Sequence, residues 1–270
     1  QTNSSGCSRS ALFTYQFFKQ VIFRPLVKWG FRARVQGLDN VPTSDGAILV
    51  SNHIATMDSI VVPAMMPREV TFPAKAELFQ GKSVGAKIVA WFLKAVGMVP
   101  MERGGGRASI ESLKAISDVL AKGNLVAIYP EGTRSPDGRL YRGHTGMARM
   151  ALRNDVPVLP VGVIGTETVR GLFGIPWVRR PLVIIGEPMR FPQYAGSNEI
   201  KVQRYVTDEV MAAIQQLTGQ AYVDVYGARV KHGNLKGADL SEYEIGSPGG
   251  GVPPEVEEMW RDSVGDAVVC

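Results

Sequence analysis

Ala47–Ser59, AILVSNHIATMDS, decides how the chain is read. Its first half is an apolar run with the length of a buried strand. Its second half opens a stretch that predicts a helix over 57–66. Between them lie Asn52 and His53, with Asp58 five residues after the histidine. Five residues of α-helix turn a side chain through about 500°, so the two would not share a face if both were helical. They meet if His53 sits in the turn before the helix and Asp58 in its first turn. The carboxylate can then accept a hydrogen bond from one imidazole nitrogen, fix the tautomer and raise the basicity of the other. That other nitrogen can take a proton from an attacking hydroxyl. Taken alone, the pair is also the pattern of a structural histidine beside a helix-capping aspartate, and that reading is the commoner one.

The strand-then-helix alternation continues outward. Short apolar runs predict strands over 32–36, 47–51, 70–74, 97–101, 125–129, 158–164 and 182–185. Helices are predicted over 57–66, 85–96, 107–121, 144–153 and 198–217; in 107–121, Ile110, Leu113, Ile116 and Leu120 recur at helical spacing. Alternation of this kind implies an α/β fold, a largely parallel central sheet flanked by helices, with ligands gathered near strand C-terminal ends.

Residues 11–29, ALFTYQFFKQVIFRPLVKW, are aromatic-rich. Gln16, Gln20, Arg24 and Lys28 form one polar stripe on a helix, with Tyr15, Phe18, Ile22, Leu26 and Trp29 near the opposite side. Phe13 and Phe17 point toward the stripe and Lys19 away from it, so the separation is imperfect. The cations argue against a membrane span, which wants roughly 20 mostly apolar residues. An N-terminal amphipathic membrane-associating helix is one reading, and a helix packed on the protein's own core is the equal alternative.

The formal net charge is +5, but it is unevenly distributed. Residues 231–270 hold three Lys/Arg against eight Asp/Glu, which leaves residues 1–230 at a net +10. A cationic body favours phosphate-rich partners: anionic lipid, phosphorylated substrates or nucleic acid. Residues 231–270, with SPGGGVPP at 247–254, read as an acidic tail or wrapping extension without a core of its own. The expected organisation is therefore 1–29, 30–230 and 231–270. Cys7 and Cys270 are the only cysteines, which excludes a disulfide framework and a thiolate metal cluster and fits a reducing compartment.

A second loop, Tyr129-Pro130-Glu131-Gly132-Thr133-Arg134-Ser135, follows the apolar run LVAIY. Gly132 permits close backbone approach, and Arg134 can grip a phosphate with two donors. The bland alternative is a turn with an internal Glu–Arg pair. A third stretch runs from Gly97 to Arg103 and into three glycines, suiting either an anion site or a loose loop. Gly81-Lys82-Ser83-Val84-Gly85 matches a hydrolase nucleophile pattern, but the segment before it makes a poor strand. His144 and His232 lack metal-ligand spacing and are read as incidental.

Taken together, the motifs resemble those of the glycerolipid acyltransferases, which include lysophosphatidic acid and glycerol-3-phosphate acyltransferases. Residues 52–58 match the family's Asn-His-four residues-Asp motif completely. Residues 129–135 match six of seven positions of Phe-Pro-Glu-Gly-Thr-Arg-Ser, with Tyr129 for Phe. Gly97 and Arg103 match a Gly followed six residues later by Arg, with Pro100 at the usual Phe and Glu102 at the usual Asp. Val156–Val161 match an apolar strand with proline, and the resemblance covers roughly residues 30–217.

The resemblance implies an enzyme. A fatty acyl group would pass from a thioester donor, acyl-CoA or acyl carrier protein, to the sn-2 hydroxyl of 1-acylglycerol-3-phosphate, giving phosphatidic acid. Glycerol-3-phosphate or another lysolipid is the alternative acceptor, and a serine lipid hydrolase using Ser83 the alternative class. A non-catalytic lipid-surface binding protein is a third. The resemblance further implies His53 as general base and Asp58 as its orienting partner. Arg103 and Arg134 would bind the acceptor phosphate, Glu131, Gly132 and Thr133 would belong to the acceptor site, and Lys75 would be a weaker phosphate candidate. No cofactor, metal or acyl-enzyme is implied. The expected partners are a lysophospholipid, the acyl donor and a membrane surface, not nucleic acid, and the expected place is the cytoplasmic face of a membrane.

Overall fold

The computed structural model describes residues 18–75, 80–81, 83, 98–101, 107–170 and 176–249. At its centre stands β2 (Ala47–Ser51), buried at every position. Its side chains alternate between two cores: Ile48 and Val50 enter one, Ala47 and Leu49 the other. An apolar run without polar alternation therefore marks a strand covered on both faces.

The other strands of this sheet are β1 (Arg34–Gln36), β3 (Val70–Lys75), β4 (Met98–Met101), β5 (Leu125–Ile128), β7 (Val158–Ile164) and β10 (Leu182–Ile185). Their order is β1-β10-β7-β2-β5-β3-β4. All neighbours run parallel except β10, which is antiparallel to β7. The reason is the connection. Residues between β7 and β10 contain only the small hairpin β8 (Val169–Arg170) and β9 (Pro176–Trp177) among the described residues. A parallel return needs a crossover of a dozen or more residues, usually a helix.

Helices cover both faces. On one lie α2 (Arg107–Ala121), α3 (Gly146–Asn154) and α4 (Ile200–Thr218), with Ile116, Leu120, Met147, Leu152, Val206 and Val210 in the core beneath them. On the other lies α1 (Asp58–Met65), contributing Val61, Val62 and Ala64. The helix predicted over 85–96 and residues 11–17 of the N-terminal stretch lie outside the described residues. The strand predicted over 32–36 begins at Arg34, because Arg32 takes a φ of 55°, outside the extended region.

Residues Phe18–Phe23 and Leu26–Gly30 form wide, π-type helical turns packed on α1. Val27 is core, whereas Val21 (57% exposed), Leu26 (37%) and Trp29 (71%) face outward. Among the described residues no helix is long and apolar enough to cross a membrane.

The chain continues past α4 into a second, small sheet. Here β11 (Tyr222–Val223) pairs parallel with β6 (Leu140–Tyr141) and antiparallel with β12 (Glu244–Ile245). The short helix α5 (Gly227–Lys231) lies between β11 and β12 in sequence. Tyr141, Val223, Val225 and Leu240 make the small buried cluster here.

Candidate active site

The C-terminal ends of β2, β3, β4, β5 and β7 share one edge of the sheet, as parallel pairing requires. The chain leaves β2 at this edge through Asn52, which is fully buried. The Asn52 amide takes over the ladder that β2 abandons: its Nδ2 donates to the Val163 carbonyl at 2.9 Å, and its Oδ1 accepts from the Val163 amide at 2.8 Å. The end of β7 therefore stays paired, and the backbone is free to turn at His53.

After the turn, Asp58 starts α1. Its carboxylate is wholly buried and accepts four hydrogen bonds. Oδ2 takes Nδ1 of His53 at 2.8 Å, the Ile54 amide at 2.8 Å and the Ala55 amide at 2.9 Å. Oδ1 takes the hydroxyl of Thr166, just beyond β7. Burying a charge is expensive unless hydrogen bonds compensate, and here the loop closes on the carboxylate to supply them. Because a carboxylate only accepts, Nδ1 of His53 is the donor of this bond, which leaves Nε2 as the acceptor of the neutral ring. The His53 side chain retains 16% exposure, so the imidazole still meets solvent.

The imidazole plane is fixed as well as its tautomer. Tyr129 stacks on it with ring centroids 4.0 Å apart and planes 14° from parallel, and Phe72 stacks behind Tyr129 at 5.9 Å. Burial, followed by the charge of Asp58, pushes the Tyr129 phenol above its ordinary range. It serves here as a neutral wall.

Glu131 is expected among the acceptor-binding residues, yet it is 1% exposed and turned inward. Oε1 accepts from the His53 amide at 2.9 Å, and Oε2 accepts from the Tyr141 amide at 3.1 Å. Burial pushes its carboxyl up to about 8, with these two amides pulling the other way. Glu131 thus braces the backbone of the histidine turn. The Ser135 amide adds a second tie, donating to the His53 carbonyl at 2.7 Å.

Gly132 occupies the left-handed region, φ +69°, and a Cβ there would come 3.0 Å from Cδ2 of His144. His144 is therefore a wall of this loop, stacked on Tyr226 at 4.5 Å, and no metal spacing would have revealed it. Thr133 is half-buried beside it. Arg134 is exposed and donates to Thr56 Oγ1 at 2.7 Å, which holds its guanidinium against the His53–Asp58 loop. Lys75 is the last residue of β3, level with Met101 of β4, at the same sheet edge. Arg103 lies outside the described residues, two residues beyond β4. Ser83 is exposed, with its neighbours Lys82 and Val84 outside the described residues.

Sequence reasoning did not reach Thr166, the Tyr129 stack or the inward role of Glu131. Thr166 carried one usable signal: it follows a parallel strand at the edge where ligands collect.

The chain is similar to known proteins of one family. The family model described as Acyltransferase matches residues 32–164. A chloroplastic 1-acyl-sn-glycerol-3-phosphate acyltransferase of Brassica napus is 33% identical over 140 residues, 52% of this chain and 39% of that protein. The chain thus spans about two fifths of the plant relative's length. The 1-acyl-sn-glycerol-3-phosphate acyltransferase of Bacillus subtilis is 30% identical over 164 residues, 60% of this chain and 76% of that one. The crystal structure of the 1-acyl-sn-glycerophosphate acyltransferase PlsC from Thermotoga maritima superposes with a TM-score of 0.55 at 22% identity, covering 79% of this chain and 83% of that chain, which shows a shared fold. The chain belongs to the acyltransferase family, in the branch that resembles the 1-acylglycerol-3-phosphate acyltransferases.

Proposed function

We propose that the chain moves a fatty acyl group from a thioester donor to the sn-2 hydroxyl of 1-acylglycerol-3-phosphate, giving phosphatidic acid. The observation that carries this reading is the His53–Asp58 pair at 2.8 Å, with the imidazole still open to solvent. Nε2 takes the proton of the acceptor hydroxyl as its oxygen attacks the thioester carbonyl. The tetrahedral intermediate collapses, the C–S bond breaks, and the departing thiolate recovers the proton from the imidazolium. Asp58 stabilises that imidazolium without itself taking the proton. No group on the enzyme is acylated. The rest of the rate comes from positioning two substrates against one base.

Arg134 supplies a guanidinium beside this base, suited to the acceptor phosphate, and Arg103 and Lys75 are proposed as further cations at the same sheet edge. The donor is acyl-CoA or acyl carrier protein. The outward Val21, Leu26 and Trp29 support docking of the N-terminal turns on a membrane surface, where the acceptor's acyl chain resides, at the cytoplasmic face. Mass spectrometry of products from an acceptor panel, each acceptor supplied with acyl-CoA and with acyl carrier protein donors, tests the reading. Phosphatidic acid from 1-acylglycerol-3-phosphate is the expected product. Acylation of glycerol-3-phosphate or of a different lysolipid alone would replace the acceptor assignment, and no acylation at all would end it.

A further inference from the structure

Glu131 links more than the two motifs that contain it and His53. Its second oxygen fixes the Tyr141 amide in β6, and β6 holds the C-terminal extension through the pairs Leu140 with Tyr222 and Tyr141 with Val223. The Arg142 amide then donates to the Val225 carbonyl at 3.1 Å. The chain next enters α5 with Gly227 pressed on the loop of Thr133: a Cβ at Gly227 would lie 3.3 Å from Thr133 Cγ2 and 3.5 Å from the Tyr141 ring. One turn later, Nζ of Lys231 sits 3.2 Å from the Arg134 carbonyl and 3.5 Å from Thr133 Oγ1.

Two cations therefore stand on the rim of the His53 loop, the Lys231 ammonium against the Arg134 carbonyl and the Arg134 guanidinium against Thr56. Neither has a carboxylate partner among the described residues. The acids of the flanking segments are engaged elsewhere: Asp137 with Arg139 and Tyr141, Asp224 with Arg142, and Glu131 with backbone amides. Partial burial, and then repulsion from Arg134, draw the Lys231 ammonium below its ordinary pKa. A dianionic group reaching both cations would relieve that repulsion and take the one donor that the ammonium has left over.

Resting on the function proposed above, we infer that Lys231, which lies beyond the family-matched residues 32–164, is a second cation for the acceptor phosphate and grips it jointly with Arg134. A residue of the acidic C-terminal third would then complete a pocket begun by the Glu131–Arg134 loop. Selectivity for phosphate-bearing acceptors would depend on the docking of that extension.

Steady-state kinetics of wild type, Lys231→Ala and Lys231→Arg test this, using 1-acylglycerol-3-phosphate and the phosphate-free 1-acylglycerol as acceptors. Lys231→Ala should raise KM for the phosphate-bearing acceptor about tenfold, the loss of one charge-assisted contact. Its kcat and donor KM should stay near wild type, the phosphate-free acceptor should be indifferent, and Lys231→Arg should recover most of the loss. Lys231→Met, which keeps the aliphatic stem, serves if the alanine variant fails to fold. An unchanged acceptor KM in a folded variant, or an equal loss on both acceptors, overturns the assignment. If the wild type acylates no acceptor, the functional reading falls separately, and calorimetric titration with glycerol 3-phosphate decides the site. Weaker binding by the variant supports it, and equal or no binding in wild type and variant overturns it.

Discussion

Asp58 holds Nδ1 of His53 at 2.8 Å from a position only five residues later, because the chain between them folds back over the carboxylate and donates two amides to it. The loop is thus built on the same group that orients the imidazole. Replacing Asp58 by Asn keeps the volume and lets the amide oxygen face Nδ1, Ile54 and Ala55 with its NH2 turned to Thr166, but it removes the negative charge beside the imidazole. We expect kcat to fall by about 10²–10⁴-fold, in the range assigned to a general base, because the imidazolium formed in the reaction has lost its charged partner. Melting temperature should also drop, reflecting the smaller amount that separates charge-assisted from neutral hydrogen bonds, about 1 kcal/mol. Steady-state kinetics with a thermal melt checks both; a variant of full activity would detach Asp58 from the mechanism.

Glu131 makes stability depend on pH in an unusual direction. Its carboxyl is held near 8 in the folded protein against an ordinary 4.5, so between these values the folded chain binds the extra proton. Its contribution to stability is fully present below about 4.5 and is lost as pH rises through about 8. Urea denaturation of wild type and Glu131→Gln across this window should show the wild type losing ground relative to the variant as pH rises. A constant difference would mean that the two amides hold the carboxylate ionised throughout.

The outward Trp29, Leu26 and Val21 lie on turns whose Val27 is already core. Trp29→Ala combined with Leu26→Ala should therefore leave the fold intact and weaken binding to anionic liposomes by about a hundredfold or more, measured by flotation. Each side chain removes about 1.5–3 kcal/mol of apolar burial if it enters the lipid fully. Binding equal to wild type would assign lipid contact to another surface.

Much of this architecture is written in local pattern. The runs at 47–51, 158–164 and 182–185 are strands over those same residues, and 107–121 is the helix its spacing predicts, because long apolar periods leave little choice. The two-residue strands β6, β8, β9, β11 and β12 have no period to read. They exist only because a neighbouring segment offers free amides and carbonyls. The His53–Asp58 contact was legible because a strand-to-helix turn converts a five-residue spacing into a hydrogen bond. Thr166, Glu131 with Tyr141, and Lys231 with Thr133 were not, since each pairs residues joined only by sheet topology. Lys231 stands in a region whose average charge is acidic, so composition pointed away from it.

The proposed chemistry turns on Nε2 of His53 as the base that activates the acceptor hydroxyl. Single-turnover formation of phosphatidic acid by His53→Ala, with 1-acylglycerol-3-phosphate and acyl donor both saturating, tests it most directly. A fall of about 10²–10⁴-fold is expected, with the fold and acceptor binding retained, whereas wild-type turnover in that variant would remove His53 from the chemistry.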